Sequence, residues 1–384
     1  MSKLKKYLVR IILFFLVKIF SIFIRKPNNI LLGSGFGKFT DNSKYLFLFL
    51  VKHNYKNVYY ILDDKQEYLL LKDKYPVLYK RSITTFFKVS KAKYFFYTHN
   101  TTDIYPAYPM KATLINLWHG TAIKKSGFDS EVEMQWIRKK KKLCLRLPYE
   151  VMDYFVTASK NVNFVFESSM QIEKSKILPV GLPRNDFLFS NKSNPTLYND
   201  LKTKIYKTKK KTILYAPTFR DELFDIKKVE ELINYFSTLQ KTNDFTIAIR
   251  MHPLESVKLE SDLLQKNSIL NLNDYDDMQE ILLCTDILVT DYSSMIFDYA
   301  ILERSILLYL YDFNTYRNIR GGFYFDYEKD FRGYGISHNL KEFEVTIKNV
   351  SDYQNSGFYK KYNIENACFN ILKMIEKEIN YVQY

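Results

Sequence analysis

The feature that most constrains this chain is an alternation, from about residue 30 onward, of short apolar runs with longer amphipathic runs. The short runs are typical of buried β-strands and the longer ones of helices. The strand candidates are NILLG, NVYYILD, KYFFYTH, TLINLWHG and DYFVTAS in the first half, and TILYAPTF, FTIAIRMHP, DILVTD and SILLYLYD in the second. Strands that alternate with helices form parallel sheets covered on both faces. We therefore predict an α/β fold with two Rossmann-like domains whose parallel sheets face a central cleft.

The predicted organisation has five parts, and 384 residues are enough for two domains. Residues 190–211 are polar and turn-rich and indicate a linker between the two blocks. An N-terminal helix (1–26) and a first Rossmann-like domain (27–189) precede this linker. A second Rossmann-like domain (212–340) follows it, and C-terminal helices (341–384) are expected to pack back across the domains.

The first 26 residues look like a signal peptide, but Lys18 interrupts the apolar stretch and no small-residue cleavage site follows. Only seven residues separate Arg10 from Lys18, whereas a spanning helix needs about 20 largely uncharged residues. On a helical projection the polar side chains form one stripe, interrupted by Phe14 and Val17. Its members are Lys3, Lys6, Tyr7, Arg10, Lys18, Ser21 and Arg25. We expect a helix lying on anionic lipid headgroups; a tilted membrane anchor and a buried packing helix are the alternatives.

The charge balance favours anionic partners, because 57 Lys and Arg face 42 Asp and Glu, a net charge of +15. Nucleic acid, a phospholipid surface and phosphorylated substrates all fit such an excess. The basic residues are dispersed without an RNP-like or zinc-finger pattern, so we expect no nucleic-acid partner. The run RKKKK (138–142) is ordinarily a solvated helix face, with anionic lipid or a lipid-linked phosphate as the alternative contact.

The three cysteines, Cys144, Cys284 and Cys368, are far apart and form no CxxC motif. We therefore expect neither a disulfide framework nor a zinc site. We expect reduced thiols in the cytoplasm. The acidic pairs Asp63-Asp64 and Asp276-Asp277 stand where Asp caps helices, and no HExxH spacing is present. We expect no fixed metal ligands.

Four strand ends carry residues suited to phosphate chemistry: WHGT (118–121), APTFRD (216–221), RMHP (250–253) and TDYSS (290–294). In open α/β sheets, ligands bind outside the carboxyl ends of the strands. Four such ends are difficult to attribute to packing alone. They predict an active cleft.

Two of these ends suggest particular contacts. Arg250 and His252 lie on one face of their strand end, because side chains alternate along a strand, and arginine can form two parallel hydrogen bonds to a phosphate. Ser293 and Ser294 open a helix directly after Asp291, and the free amides of a helix start favour anions. An ordinary cap on a core helix is the alternative for the second site.

The loop GSGFGK (33–38) invites comparison with nucleotide-binding loops and fails both patterns. Its third glycine arrives one residue early for GxGxxG, and its glycine spacing does not fit GxxxxGK with a following Ser or Thr. A plain strand-to-helix turn is the expectation. Close approach of its backbone to an acceptor phosphate or substrate is the alternative.

Taken together, several longer stretches resemble the CDP-glycerol glycerophosphotransferase family, which comprises teichoic acid glycerol-phosphate primases and polymerases and related capsule enzymes. They are WHGTAIKKSGFD, SKNVNFVFESSM followed by VGLPRNDFLF, YAPTFRD, IRMHP and DILVTDYSSMIFDYAILERSILLYLYD. The resemblance extends over about residues 30–340 in the same motif order. The chain departs from the family pattern at Ala122, where proline is common, and at Arg304-Ser305, where Lys-Pro is common.

The resemblance implies a GT-B-like fold with peripheral attachment to the cytoplasmic face of the membrane. It also implies transfer of glycerol phosphate from CDP-glycerol to a hydroxyl of a lipid-linked or polysaccharide acceptor, with release of CMP. The first domain would bind the acceptor and the second the CDP-polyol. CDP-glycerol is then the donor substrate, no cofactor is expected, and Mg²⁺, if used, is not a fixed ligand. The chain's length favours a single transferase unit with primase-like addition.

The resemblance also gives the site residues roles. His119 is the expected general base, which takes the proton of the acceptor hydroxyl, and Gly120 lets substrate approach the backbone. Lys124 and Lys125 would hold an acceptor phosphate or else face solvent. His252 is the second expected catalytic residue and, with Arg250, Ser293 and Ser294, would hold the pyrophosphate. The remaining assignments are Thr218, Arg220 and Asp291 to nearby contacts, and Glu303 to a ribose hydroxyl or to solvent.

Three alternatives remain open. A ribitol-phosphate transferase using CDP-ribitol would share these motifs, and a GT-B glycosyltransferase using a nucleotide sugar would share the fold. A non-enzymatic module that binds nucleic acid or an anionic surface is the third.

Overall fold

The computed structural model describes residues 3–24, 26–142, 147, 150–218, 220, 225–251, 261–353 and 357–381. The chain forms two compact units. Unit 1 comprises Met1–Gly120, Ile137–Asp186 and Ile364–Tyr384, and unit 2 comprises Thr121–Trp136 and Phe187–Asn363. Neither unit is a continuous stretch of chain.

Each unit contains one parallel sheet. In unit 1 the strands are β1 (Asn29–Leu32), β2 (Val58–Leu62), β3 (Val77–Tyr79), β4 (Ala92–Tyr97), β5 (Thr113–Asn116), β6 (Tyr154–Thr157) and β7 (Ile177–Pro179), in the order β3-β2-β1-β4-β5-β6-β7. In unit 2 they are β8 (Lys211–Tyr215), β9 (Phe245–Ile249), β10 (Leu270–Asn271), β11 (Ile287–Thr290), β12 (Ser305–Tyr309) and β13 (Gly335–Ser337), in the order β10-β9-β8-β11-β12-β13. The predicted α/β class with two parallel sheets is confirmed.

The α-helices connect these strands. In chain order they are α1 (Lys3–Ile22), α2 (Asp41–Lys52), α3 (Lys65–Leu71), α4 (Ile83–Ser90), α5 (Glu131–Lys142), α6 (Asn163–Ser169), α7 (Asn185–Asn191), α8 (Pro195–Ile205), α9 (Ile226–Thr242), α10 (Ser261–Lys266), α11 (Met278–Leu283), α12 (Met295–Tyr299), α13 (Phe313–Ile319), α14 (Tyr327–Asp330), α15 (Leu340–Lys348), α16 (Phe358–Tyr362) and α17 (Ala367–Tyr381). Asp64 and Asp277 cap α3 and α11 by accepting hydrogen bonds from backbone amides of the first turn, as the sequence predicts for them.

The central strands are apolar without alternation, because helices cover both faces of a parallel sheet. Leu31, Ile61 and Phe95 are fully buried in the core of unit 1, and Ile213 and Val289 in that of unit 2. The carboxyl ends of the parallel strands in each unit therefore share one edge, which presents the polar residues that follow the strands.

Helix α1 packs on unit 1 along the stripe that the sequence predicts to face headgroups. Val17 is fully buried there, Ser21 is 4% exposed and donates to the carbonyl of Lys18, and the Nζ of Lys18 lies 4.2 Å from the ring centroid of Tyr108. The expectation that this stripe faces lipid is therefore wrong at Lys18 and Ser21. The reason is Phe14 and Val17, the two apolar side chains that interrupt the stripe and supply the packing contacts.

The other face of α1 is apolar and exposed. Its largest exposed side chains are Ile12 (57%), Phe15 (59%), Ile22 (61%) and Phe23 (77%, just after the helix). The side chains of Lys3, Lys6, Tyr7 and Arg10, together with Arg25 and Cys144, lie outside the described part of the chain. Within the described residues, no helix combines the length and apolar character that a membrane crossing requires.

Most of the predicted linker, residues 190–211, is helical. Helix α8 occupies Pro195–Ile205 and begins after Asn194, whose side chain accepts a hydrogen bond from the amide of Leu197. Its polar composition reflects an exposed face, whereas Leu201 and Ile205 are buried. Lys202 pairs with Asp286 at 2.9 Å, so this segment belongs to the body of unit 2.

Candidate active site

His119 follows β5 on a turn with unusual backbone geometry. Trp118 has a φ of +52° and Gly120 a φ of +141°, and residues other than glycine rarely adopt the left-handed region. The side-chain oxygen of Asn116 accepts a hydrogen bond from the amide of Trp118 at 2.8 Å, and Nδ2 of Asn42 donates to the carbonyl of Trp118 at 2.9 Å. These two contacts fix the turn and, with it, the position of His119 at the edge of the sheet.

The imidazole of His119 stacks on a second imidazole, that of His99, which follows β4. The ring centroids are 4.3 Å apart and the planes differ by 13°. His99 is held by Asp103, whose carboxylate accepts a hydrogen bond from the backbone amide of His99 at 2.8 Å. Nδ1 of His119 lies 3.3 Å from the carbonyl oxygen of Thr98. If Nδ1 donates to that carbonyl, Nε2 carries the lone pair and is able to accept a proton.

Burial, with smaller effects of the neighbouring His99 and Arg184, lowers the pKa of His119 to about 4, against the opposing effect of Asp41. His119 is therefore neutral near physiological pH. A neutral imidazole at the sheet edge has the protonation state that a general base requires.

Arg184 anchors the backbone of the same turn. Its Nη1 donates to the carbonyl of His119 and to Oδ1 of Asp41, both at 2.8 Å, and its amide donates to Oδ1 of Asn42 at 3.1 Å. His119 is thus held through its ring by His99 and through its carbonyl by Arg184.

In unit 2, a buried ion-pair network lies at the carboxyl ends of β8 and β11. Nη2 of Arg220 is 2.7 Å from Oδ2 of Asp291, and its Nε is 2.7 Å from Oδ2 of Asp312. Oδ1 of Asp291 also accepts hydrogen bonds from the amides of Thr218 and Tyr292, at 2.8 and 2.6 Å. The guanidinium of Arg220 and the carboxylate of Asp291 are therefore both paired with other groups of the protein.

Aromatic rings enclose this network. The guanidinium of Arg220 lies 4.8–5.7 Å from the ring centroids of Tyr292, Tyr311 and Tyr316. Arg220 and Asp291 are each 1% exposed. These contacts favour a supporting role for both residues, in contrast to the substrate contact that the resemblance implies for them.

Lys124 and Lys125 belong to unit 2, whereas the sequence places them in the first domain. Lys124 forms an antiparallel bridge with Phe323, and the amide of Lys125 donates to the carbonyl of Gly322 at 3.1 Å. Burial, and to a lesser extent nearby Arg320, lowers the pKa of Lys124 to about 8. Lys125 lines an open cavity of about 480 Å³ whose other polar walls include Arg317.

Seven buried side-chain polar atoms of unit 2 have no hydrogen-bond partner among the described residues. Oγ1 of Thr218 and Nε of Arg320 are two of them. Buried polar atoms in folded proteins are nearly always paired, so atoms of this kind mark places where a ligand or water is expected to bind. Arg320 is one of the charges close to Lys124.

The structure places Arg250 at the end of β9, with its guanidinium turned to the backbone. Its Nη1 donates to the carbonyls of Leu272, at 3.2 Å, and Tyr275. Burial lowers the pKa of Arg250, against the opposing effect of Asp277. His252 lies outside the described residues, so the pairing predicted for it with Arg250 stays a prediction.

Ser293 and Ser294 precede helix α12, which has only five residues. Oγ of Ser293 accepts a hydrogen bond from the amide of Met295 at 3.3 Å. Ser294 is the N-cap residue of the helix, and its side chain makes no capping hydrogen bond. Glu303 follows the helix with a φ of +55° and pairs with Lys192 at 3.4 Å. Both partners of that pair are partly exposed.

The described residues contain no group of three or more His, Cys, Asp or Glu side chains arranged to hold a metal ion. His99 and Arg184 are the functional candidates that the sequence analysis missed. Both had a signal: His99 ends the predicted strand KYFFYTH, and Arg184 lies in VGLPRNDFLF, one of the stretches that carry the resemblance.

Comparison with known proteins gives consistent matches. A family model described as CDP-glycerol:poly(glycerophosphate) glycerophosphotransferase matches residues 14–372. The teichoic acid glycerol-phosphate transferase of Staphylococcus aureus is 29% identical over 368 residues, covering 89% of this chain and 91% of that protein. The teichoic acid poly(glycerol phosphate) polymerase of Bacillus spizizenii is 31% identical over 369 residues, covering 90% and 92%.

Solved structures agree with these matches. The wall teichoic acid polymerase TagF superposes with a TM-score of 0.77 at 25% identity, covering 95% of this chain and 93% of that chain. A TagF variant soaked with CDPG gives a TM-score of 0.76 at 26% identity, covering 94% and 91%. S. aureus MnaA in a structure with UDP gives 0.58 at 12% identity, covering 92% and 97%, which shows the fold alone. The GT-B-like class that the resemblance implies is confirmed.

Proposed function

This chain belongs to the CDP-glycerol:poly(glycerophosphate) glycerophosphotransferase family, and we propose that it transfers glycerol phosphate from CDP-glycerol to a hydroxyl of a glycerol-phosphate acceptor, releasing CMP. The relatives that cover most of its length are teichoic acid glycerol-phosphate transferases and polymerases. Teichoic acid synthesis is therefore its biosynthetic role. The observation that carries the site assignment is the neutral imidazole of His119, held between His99 and Arg184.

In the proposed reaction, an acceptor hydroxyl oxygen attacks the phosphorus atom that bears glycerol. The hydroxyl proton passes to Nε2 of His119, a new phosphorus–oxygen bond forms, and the bond to the bridging pyrophosphate oxygen breaks. CMP leaves with that oxygen. General-base assistance of this kind contributes about 10²–10⁴ in rate.

We assign the donor to unit 2, where the charge of its pyrophosphate needs cations and hydrogen-bond donors. Lys124 and Arg320 supply two neighbouring positive charges, and Asp291 also acts on Lys124. Thr218, whose amide donates to Asp291, has a hydroxyl with no protein partner among the described residues. This assignment moves Lys124 from the acceptor to the donor. Ser293, Ser294, Arg250 and His252 keep their predicted donor role within this proposal, as do Lys125 and Gly120 as substrate contacts and Glu303 as a ribose contact.

The experiment that tests the reaction offers CDP-glycerol, CDP-ribitol, UDP-sugars and GDP-sugars to the protein together with lipid-linked and saccharide acceptors. We expect CMP release and a product heavier by one or more glycerol phosphates with CDP-glycerol. The matched variants are His119→Asn and, as control, His53→Asn at the exposed end of α2. Transfer from CDP-ribitol alone, or release of UDP or GDP, would contradict the proposal. A product whose formation survives in His119→Asn would remove His119 from the mechanism.

We also propose that the protein is a peripheral protein of the cytoplasmic membrane face. The support is the exposed apolar face of α1, extended by Ile83 (70% exposed) and Phe87 (48% exposed) of α4, in a chain with a net charge of +15. Apolar side chains of an interfacial helix insert among lipid chains while basic residues contact anionic headgroups.

Sedimentation with anionic phospholipid vesicles tests this attachment. Because Val17 and Ser21 are buried against unit 1, deleting the helix would uncover core, and point variants are preferable. The triple variant Ile12→Ser, Phe15→Ser, Phe23→Ser should no longer sediment with the vesicles. The control is Leu69→Ser, Leu70→Ser, which changes similarly exposed side chains on α3 and should still sediment with them. Equal binding of both variants, or displacement of the wild type from vesicles by DNA, would refute the proposal.

A further inference from the structure

A polar pocket of about 330 Å³ opens on unit 1, at the carboxyl ends of β1, β2, β3 and β4. Its walls include Gly35 and Gly37 of the loop GSGFGK, together with Asp63, Lys80 and His99. The lining side chains are polar and the remaining residues are glycines. Such walls suit a small ligand rich in oxygen atoms, not a lipid chain or an aromatic base.

The two glycines make this pocket possible. A Cβ at Gly35 would lie 2.4 Å from the ring of His99, and one at Gly37, whose φ is +65°, would lie 2.5 Å from the Cβ of Asp63. The loop is pinned in place, because the amide of Gly35 donates to Oγ1 of Thr98 and the amide of Asp63 donates to the carbonyl of Gly37, both at 3.0 Å. The glycine spacing that fails as a nucleotide motif therefore builds a fixed wall under His99 and Asp63.

The charges of the pocket suit a phosphate accompanied by hydroxyls. Nζ of Lys80 lies 3.8 Å from Oδ2 of Asp63 and donates to the carbonyl of Thr102, while Nε of Arg81 donates to Oδ1 of Asp63 at 3.0 Å. Asp103, the other carboxylate, is 6% exposed and accepts from backbone amides. Two cations thus accompany one accessible carboxylate. Lysine ammonium binds phosphate oxygens, and a carboxylate accepts hydrogen bonds from hydroxyls.

His99 connects the pocket to His119, because one part of its ring lines the pocket and one face stacks on the imidazole of His119 at 4.3 Å. Only the ring of His99 therefore separates a ligand in the pocket from His119, the group that we assign as general base. Both histidines and the pocket belong to unit 1.

We propose that this pocket is an acceptor subsite that binds a polyol phosphate, with Lys80 at its phosphate and Asp63 at its hydroxyls. Occupation of this subsite places the reacting hydroxyl of the same acceptor at His119. The inference rests on the proposed transfer reaction and deepens it, since it names residues that select the acceptor.

The test measures steady-state kinetics of the full chain with CDP-glycerol and a short oligo(glycerol phosphate) acceptor. Lys80→Gln should raise the KM for the acceptor about tenfold, as expected for one lost charge-assisted hydrogen bond, and change the KM for CDP-glycerol by less than about twofold. Lys80→Arg, which keeps the charge, should stay within about threefold of the wild type. The matched control is Lys72→Gln, since Lys72 is another lysine of unit 1 that lies 3.8 Å from an aspartate.

Equilibrium binding of the same oligo(glycerol phosphate), without donor, separates this inference from the reaction itself. We expect the wild type and Lys72→Gln to bind equally and Lys80→Gln to bind about tenfold more weakly. Equal binding by Lys80→Gln, no detectable binding by the wild type, or a rise in the KM for CDP-glycerol alone would overturn the subsite. If the wild type binds the acceptor but does not use CDP-glycerol, the reaction fails while the binding measurement still decides the pocket.

Discussion

The carboxyl edges of the two sheets use polar residues in opposite ways. In unit 1, His119 and His99 stack beside an open pocket, and the side chain of His99 is 38% exposed. In unit 2, Arg220 and Asp291 are enclosed by tyrosines and bound to each other at 2.7 Å. The first edge presents groups to a ligand, whereas the second uses its most polar residues to hold neighbouring loops together.

This difference shows that a polar residue at the end of a strand does not necessarily contact a ligand. A buried ion pair recovers its desolvation cost only when its hydrogen-bonding groups are satisfied, and removing one partner leaves a buried charge. The network of unit 2 meets that condition with Asp312 and the amides of Thr218 and Tyr292. Variants of His119 in unit 1 and of Arg220 in unit 2 should therefore differ in kind, with activity lost in the first and stability lost in the second.

The largest effect is expected for His119→Ala. Removing the general base should lower kcat by about 10²–10⁴, while the thermal unfolding temperature stays close to that of the wild type. CMP release and circular dichroism melting measure the two quantities. A variant that keeps its melting temperature and near-normal turnover would place the base elsewhere.

Arg220→Met should instead act on stability. Loss of the guanidinium leaves Asp291 and Asp312 without their partner, which costs about 3–5 kcal/mol in the free energy of unfolding for a buried pair. Urea unfolding followed by fluorescence measures this loss. The control is Arg81→Met in unit 1, where the ion pair with Asp63 is exposed and should contribute no more than about 1 kcal/mol. Equal losses in the free energy of unfolding of the two variants would contradict the proposed difference between the two sheet edges.

His99→Gln tests whether the stacked pair tunes His119. The electrostatic effect of His99 lowers the pKa of His119, so replacing His99 with glutamine, which carries no charge, should raise the pKa of His119. The acid limb of the kcat/KM profile should then move to higher pH. A purely structural role for His99 would lower activity at all pH values and leave the limb in place.

The smallest effect concerns Lys124. Burial lowers its pKa to about 8, so part of the population is uncharged at pH 8, and a bound anion should restore the proton. Binding of CDP-glycerol at pH 8 should therefore take up a fraction of a proton, measured by calorimetry in buffers of different ionisation enthalpy. At pH 6.5 Lys124 is already charged and the uptake through it should vanish, as it should at pH 8 in Lys124→Met. Unchanged uptake in that variant would separate Lys124 from the donor.

The sequence predicted the interior of both sheets but not their edges. The nine predicted strands are the nine interior ones, and β3, β7, β10 and β13, each at an edge, were missed. Edge strands here have only two or three residues, too few for a recognisable apolar run. The helices' caps at Asp64 and Asp277 were predictable because capping is local.

The site was predictable only in part, for a related reason. His119 stands out because its Trp-His-Gly context is local. His99 stacks on His119 from 20 positions away in the chain, and Arg184 contacts the carbonyl of His119 from 65 positions away. No periodic pattern in the sequence indicates such distant contacts. Likewise, nothing in YAPTFRD indicates that Arg220 is enclosed by tyrosines contributed from other parts of unit 2.

The discontinuity of unit 1 has a consequence for the order in which the protein is made. Asp186 accepts hydrogen bonds from the amides of Ala367 and Cys368 at 2.8 and 2.9 Å, and the carbonyl of Ile364 lies against Gly181. These partners reach Asp186 only after the ribosome has added Phe187–Asn363, a delay on the order of ten seconds or more at about 5–20 residues per second. Unit 1 of the nascent chain therefore stays incompletely folded while unit 2 is synthesised. During that interval it is accessible to a chaperone that binds exposed apolar surface.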